Sequence, residues 1–205
     1  MSKPAKDLSQ AALIVVDLQN DFCPGGALAV PEGDRIIPVV AHWVDIFHAQ
    51  GRPIIFTRDA HPPHHVSFLE RQGPWPPHCV HGTWGAALHP DLAVPKDAFR
   101  VDKGFLSDVD AYSGFEGRVV TADGTRSDQT LADLLHSLGV HIIYLAGLAT
   151  DYCVKATGLD GVRLGFEVVL ITDAMRGVNV HPDDSQQAIA ELLAQGAQVV
   201  KVMGG

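Results

Sequence analysis

Residues 140–154 read VHIIYLAGLATDYCV. Val140–Leu148 is an almost unbroken apolar run, the mark of a strand buried on both faces. A helix follows at once, from about Asp151 to Leu164. A buried strand that feeds straight into a helix is the repeating step of an α/β fold, in which helices cover a parallel sheet.

Working outward, the same alternation recurs. Ala12–Asp17 is an apolar strand ending in a carboxylate. A helix near Ile36–Gln50 carries Ile37, Val40, Val44 and Phe47 on one stripe and stops at Gly51. Pro53–Arg58 and Ala98–Asp102 read as strands, and Gly117–Thr125 as a small hairpin turning at Asp123-Gly124. Ser127 or Asp128 is the expected cap of a helix striped by Leu131, Leu134, Leu135 and Leu138. Phe166–Thr172 is a strand. Pro182–Gln195 is a helix with Ile189, Leu192 and Leu193 facing inward, and Gln198–Val202 closes the sheet. The expectation is one domain over residues 1–205: a three-layer α/β/α fold around a central, mainly parallel, six-stranded sheet. One stretch, Asp59–Phe99, is rich in Pro, His and Gly and has no sustained periodicity. A loop of that length is rare unless it has a job.

Composition narrows the function. The 205 residues carry a formal net charge of −9, and no Lys/Arg run relieves it. Nucleic acid and anionic membrane are therefore poor partners. The longest apolar runs, such as Ala11–Val16 and Ile142–Leu148, are too short to span a bilayer. The N-terminal MSKPAKDLSQ lacks the apolar core of an export signal. The three cysteines, Cys23, Cys79 and Cys153, leave at least one thiol free, which fits a reducing cytoplasm. Oligomeric state, monomer or homo-oligomer, is left open.

In an open α/β sheet, ligands sit beyond the carboxyl ends of the strands. Asp17, Asp59, Lys103 and Cys153 all fall at such ends or just after them. Cys153, in the first turn of a helix, is expected to feel the positive end of the helix dipole, which favours the thiolate. The free backbone N–H groups there suit an oxyanion. The competing reading is a cysteine that only fills a helix–sheet contact. Asp17 or Asp21 is the candidate base, turn capping being the alternative for either, and Lys103 a cation between acid and sulfur. Asp59, His61, His65 and His78 offer one carboxylate and three imidazoles, a set that suits Zn, Fe or Mn with positions left open for water or substrate. His64 and His81 are bystanders in this reading, and a solvated His-rich loop is the plainer alternative.

Six stretches, taken in order, resemble the nicotinamidase/pyrazinamidase family of isochorismatase-like cysteine hydrolases. They are Val16-Asp17-Leu18-Gln19-Asn20-Asp21-Phe22-Cys23, Thr57-Arg58-Asp59-Ala60-His61-Pro62-Pro63-His64-His65-Val66-Ser67-Phe68, Gly73-Pro74-Trp75-Pro76-Pro77-His78-Cys79-Val80, Lys103-Gly104, Ala111-Tyr112-Ser113-Gly114-Phe115-Glu116-Gly117, and Gly147-Leu148-Ala149-Thr150-Asp151-Tyr152-Cys153-Val154. The resemblance implies a triad of Asp17, Lys103 and Cys153, and one divalent metal on Asp59, His61, His65 and His78, with no organic cofactor. It implies an oxyanion hole from the N–H groups of Ala149 and Cys153, with a cis peptide between Leu148 and Ala149. Phe22, Trp75 and Tyr112 match positions that hold an aromatic amide. The implied activity is amide hydrolysis of nicotinamide, and of pyrazinamide, through a thioester. Ala60 and Trp84 depart from the family pattern and bear on pocket shape. Relatives acting on carbamoyl or ureido groups generally lack the metal donors, and isochorismatases proper lack the cysteine. A non-catalytic metal-binding module is the reading from another class.

Overall fold

Alternate residues of the first strand, β1 (Ala11–Val16), enter two different cores. Ala11, Leu13 and Val15 pack with α1 (Ile37–Ala49) on one face. Ala12, Ile14 and Val16 pack on the other face, with α2 (Leu131–Ser137), α3 (Lys155–Arg163) and α4 (Asp184–Ala194). Because strand side chains alternate, an unbroken apolar run means burial on both sides, and so a sheet sandwiched between helices. The computed structural model describes residues 8–201.

The sheet is seven-stranded: β1, β2 (Ile54–Asp59), β3 (Phe99–Lys103), β4 (Arg118–Val120), β5 (Ile142–Leu148), β6 (Glu167–Arg176) and β7 (Gln198–Val200). Their spatial order is β4-β3-β2-β1-β5-β6-β7. Every pairing is parallel except β3–β4. From β1 the chain steps outward to β2, β3 and β4, then returns across to β5 on the other side of β1. That reversal opens a crevice at the carboxyl end of β1.

The expected six strands become seven because the edge strand β4 joins the sheet. Only Arg118–Val120 of the expected hairpin is a strand, and it pairs antiparallel with β3. The arm beyond the Asp123-Gly124 turn makes a single bridge, Val120 to Arg126. The cap of α2 is Thr130 rather than Ser127 or Asp128. Its hydroxyl accepts from the Asp133 N–H, and the Asp133 carboxylate accepts from the Thr130 N–H in return. Leu138 and Leu193 lie on the surface, 40% and 43% exposed, so the inward stripes of α2 and α4 are narrower than the sequence suggests. Pro38 sits in the first turn of α1, where its missing N–H has no intrahelical partner to lose. Among the described residues no helix is long and apolar enough to cross a membrane.

Candidate active site

Asp17, Asp59, Lys103 and Cys153 meet at the crevice. Lys103 ends β3 and is fully buried. Its Nζ lies 2.9 Å from Asp17 Oδ2, 2.5 Å from Asp59 Oδ1, 3.4 Å from Cys153 Sγ and 3.3 Å from the Ala111 carbonyl. A buried ammonium needs compensating charge, and two carboxylates supply it. They hold the lysine well above its ordinary range against the opposing effect of burial.

The acid that completes the trio is Asp17, positioned by the turn it makes. Its φ of 45° swings the chain out of β1, in a left-handed region that aspartate tolerates better than most residues. Thr57 Oγ1 donates to Asp17 Oδ1 at 2.6 Å. Oδ2 takes the Lys103 ion pair and is a buried carboxylate oxygen with a second lone pair that can accept a proton. Burial raises the Asp17 carboxyl above its ordinary range, with Lys103 opposing.

Asp21, the other candidate base, does something else. Its carboxylate accepts from the N–H groups of Cys79 (2.7 Å) and Ala27 (3.0 Å). It therefore anchors the loop after His78 and has no place beside the sulfur.

Cys153 lies in one π-helical turn, Thr150–Val154, that joins β5 to α3. A cis peptide links Leu148 to Ala149 just before it. Thr157 Oγ1 donates to the Cys153 carbonyl at 2.7 Å. The expectation of a thiol lowered by the helix dipole is not met. Burial pushes the Cys153 thiol well above the ordinary range; Lys103 offsets this in part, and Asp17 and Asp59 add to it. The resting sulfur is a thiol, and a base must take its proton before it can attack.

A second constellation abuts the first. One donor atom each from Asp59, His61 and His78 lies within 4.8 Å of the others, all three residues buried. His61 Nδ1 is 2.8 Å from the Gly104 carbonyl, and His78 Nδ1 is 2.8 Å from the Pro76 carbonyl. A carbonyl only accepts, so each Nδ1 carries the proton and each Nε2 keeps its lone pair. Only glycine permits this at position 104: φ is +60°, and a Cβ would stand 2.4 Å from His61 Cε1. Burial opposes ionisation of Asp59, but Lys103 and His61 hold its carboxyl well below the usual range.

His65 is placed differently. Its Nε2 lies 3.1 Å from the Val109 carbonyl and so carries the proton, while Nδ1 lies 2.7 Å from Ser67 Oγ. Both ring nitrogens are thus engaged, and the ring stacks on His61 with centroids 4.1 Å apart. The expected four-donor set is brought together as three, with His65 as the wall behind His61. His64 is exposed and bonds Glu70, and His81 joins neither constellation.

One cavity receives both groups. Its walls include Asp59, His61, His78 and Cys153 together with Phe22, Trp75 and Tyr112. Trp75 Nε1 donates to the Tyr112 hydroxyl at 3.1 Å, fixing two of these rings to each other. Tyr152 also lines it and packs edge-on against Trp75, with centroids 5.2 Å apart. No role for Tyr152 is expected from the residues alone, although its place beside Cys153 is the available signal. Trp84 is 64% exposed and does not line the cavity.

The isochorismatase domain model matches residues 11–203. The chain belongs to the isochorismatase family. Within that family it is 42% identical to the nicotinamidase of Escherichia coli, over 91% of this chain and 92% of the relative. Among solved structures it is similar to the pyrazinamidase of Pyrococcus horikoshii in complex with zinc. Identity there is 45% and the TM-score 0.84, with 94% of this chain and 99% of the other covered. It is also similar to PnC1 from L. infantum in complex with nicotinate, at 35% identity and a TM-score of 0.81, covering 94% and 92%.

Proposed function

We propose that this chain is an amidohydrolase that converts nicotinamide to nicotinate and ammonia, with pyrazinamide as a second substrate, and that residues 1–205 act as one hydrolase domain. The observation that carries this reading is the shared cavity. Cys153, backed by the buried Asp17 and Lys103, and the three-donor cluster line the same aromatic-walled space. The relatives named as nicotinamidase and pyrazinamidase, and the neighbours holding zinc and nicotinate, support the same substrate class.

Asp17 Oδ2 takes the Cys153 thiol proton, and the sulfur attacks the carboxamide carbon. The N–H groups of Ala149 and Cys153 hold the oxyanion, with the Lys103 charge nearby. Asp17 returns the proton to the amide nitrogen, the C–N bond breaks, and ammonia leaves a thioester on Cys153. Water then gives a proton to Asp17 and attacks the thioester carbon. The C–S bond breaks, the sulfur takes the proton back from Asp17, and the carboxylic acid formed gives its own proton to solvent and departs as the carboxylate. Asp59, His61 and His78 would hold one divalent ion, zinc, iron or manganese. When bound it supplies an electrophilic anchor for a ring nitrogen. Phe22, Trp75 and Tyr112 hold the ring so that the carboxamide faces the sulfur.

The test is ammonia release from nicotinamide before and after chelation, with metal content measured on the same sample. Release that falls with the metal and returns on its replacement is the expected result. A protein that binds metal and releases no ammonia from the untreated sample is a binding module, and the reading fails.

A further inference from the structure

We infer that Gln19 is a positioning residue for the metal trio, its carboxamide fixing Asp59 and the strap that follows His78. This rests on the reading that Asp59, His61 and His78 hold a metal.

The argument starts from the sheet. β1 and β2 pair in register only as far as Val15 and Phe56. Asp17 then turns the chain away, so Asp59, at the far end of β2, has no β1 backbone beside it. On its other side Asp59 pairs with Lys103 of β3. The Gln19 side chain takes the missing place. Its Oε1 accepts from the Asp59 N–H at 2.8 Å, and its Nε2 donates to the Asp59 carbonyl at 2.8 Å. A side-chain amide thus imitates one more rung of backbone ladder, in a residue with no solvent exposure.

The second Nε2 proton goes to the Ala86 carbonyl at 2.9 Å. Ala86 belongs to the strap that leaves His78 and returns past β1. Further bonds between this segment and the strap run from the Asn20 N–H to the Ala87 carbonyl, from the Asp21 N–H to the Gly85 carbonyl, from Asn20 Nδ2 to the Trp84 carbonyl, from the His89 N–H to the Leu18 carbonyl and from the Cys79 N–H to Asp21 Oδ2. Gln19 alone in this segment bonds both Asp59 and the strap. It sets the distance between a carboxylate donor and the chain that carries an imidazole donor. Groups that orient metal ligands from behind are typically worth about 10- to 100-fold in metal affinity or activity.

The experiment is equilibrium dialysis of metal-stripped, full-length protein against zinc ion, on wild type, Gln19→Met, Gln19→Glu, Asp59→Ala and Leu135→Ala. Folding of each is checked by circular dichroism. Gln19→Met keeps the length of the side chain and removes all three bonds. Its zinc Kd is expected to rise by about 10- to 100-fold. Gln19→Glu keeps only an acceptor and is expected to bind more weakly than wild type. Leu135→Ala, a core truncation in α2, should lower Tm and leave the zinc Kd unchanged. A folded Gln19→Met with the wild-type Kd overturns the inference, whatever its Tm. If Gln19→Met does not fold, a wild-type Kd in Gln19→Glu overturns it equally. Zinc binding that Asp59→Ala leaves intact removes the underlying reading, and this inference with it.

Discussion

Lys103 Nζ lies 2.5 Å from Asp59 Oδ1, while the other carboxylate oxygen of Asp59 lies 3.5 Å from His61 Nε2. One carboxylate therefore belongs to two constellations, facing the ammonium on one side and the imidazoles on the other. The two are parts of a single charge network, and a change on one side is felt on the other. Lys103 is the only cation among the four groups at the end of the sheet.

Replacing Lys103 by Met should damage folding as well as rate. It leaves Asp17 and Asp59 buried without their cation, and breaking a buried pair costs about 3–5 kcal/mol. Thermal unfolding of Lys103→Met should show a drop of that order. An unchanged Tm would mean that the lysine charge is not what holds the two acids.

Asp17→Asn preserves shape and removes the proposed base. Ammonia release should fall by several orders of magnitude. In wild type the same group should set the acid limb of kcat/KM. Asp17 must be ionised to act, and its carboxyl is raised by burial. Activity should therefore be lost on acidification at a pH above the ordinary carboxylate range near 4. A limb at or below that value would mean that burial does not raise the Asp17 carboxyl.

Gly104→Ala pushes a methyl group into His61 and forces an alanine to φ +60°. The backbone penalty alone is about 1–2 kcal/mol. Metal affinity should fall with stability, because the displaced ring is a proposed donor. Metal content at a fixed free zinc concentration, beside Tm, checks both. A variant that is less stable but fully loaded would show that His61 is not a ligand.

Much of this fold was legible because its strands are apolar runs. β1 and β5 follow from Ala12–Asp17 and Val140–Leu148 within a residue or two. The rule that sites lie at strand ends brought Asp17, Asp59, Lys103 and Cys153 to one place before any coordinates. Residues 59–99 were opaque. Among them only Leu69–Arg71 forms a helical turn, and the rest is held by local turns and long-range bonds with no period to read, such as Asp21 to Cys79. The same opacity hid the division of the histidines. Whether an imidazole keeps a free lone pair depends on whether one ring nitrogen is engaged by the protein, as in the carbonyl contacts of His61 and His78, or both, as for His65 between the Val109 carbonyl and Ser67 Oγ. Spacing in the chain does not carry that information. Cys153 was misjudged for a related reason: the helix dipole is visible in sequence, whereas complete burial beside two carboxylates is not.

Alkaline stability should expose the buried thiols. Burial, helped by Asp34, moves Cys23 from 9.0 up to about 11. A pKa raised in the folded state contributes stability that is whole below the unfolded value. That stability is lost as pH climbs through the folded one. Between pH 9 and 11 Tm should therefore decline, and Cys23→Ala should flatten part of the decline relative to its own value at pH 8. A decline identical in both proteins would assign it elsewhere.

The most direct test of the account is ammonia release by Cys153→Ala, with metal content measured on the same preparation. The account predicts a folded protein that keeps its metal and releases no ammonia from nicotinamide above background. Turnover at the wild-type rate in that variant would contradict it.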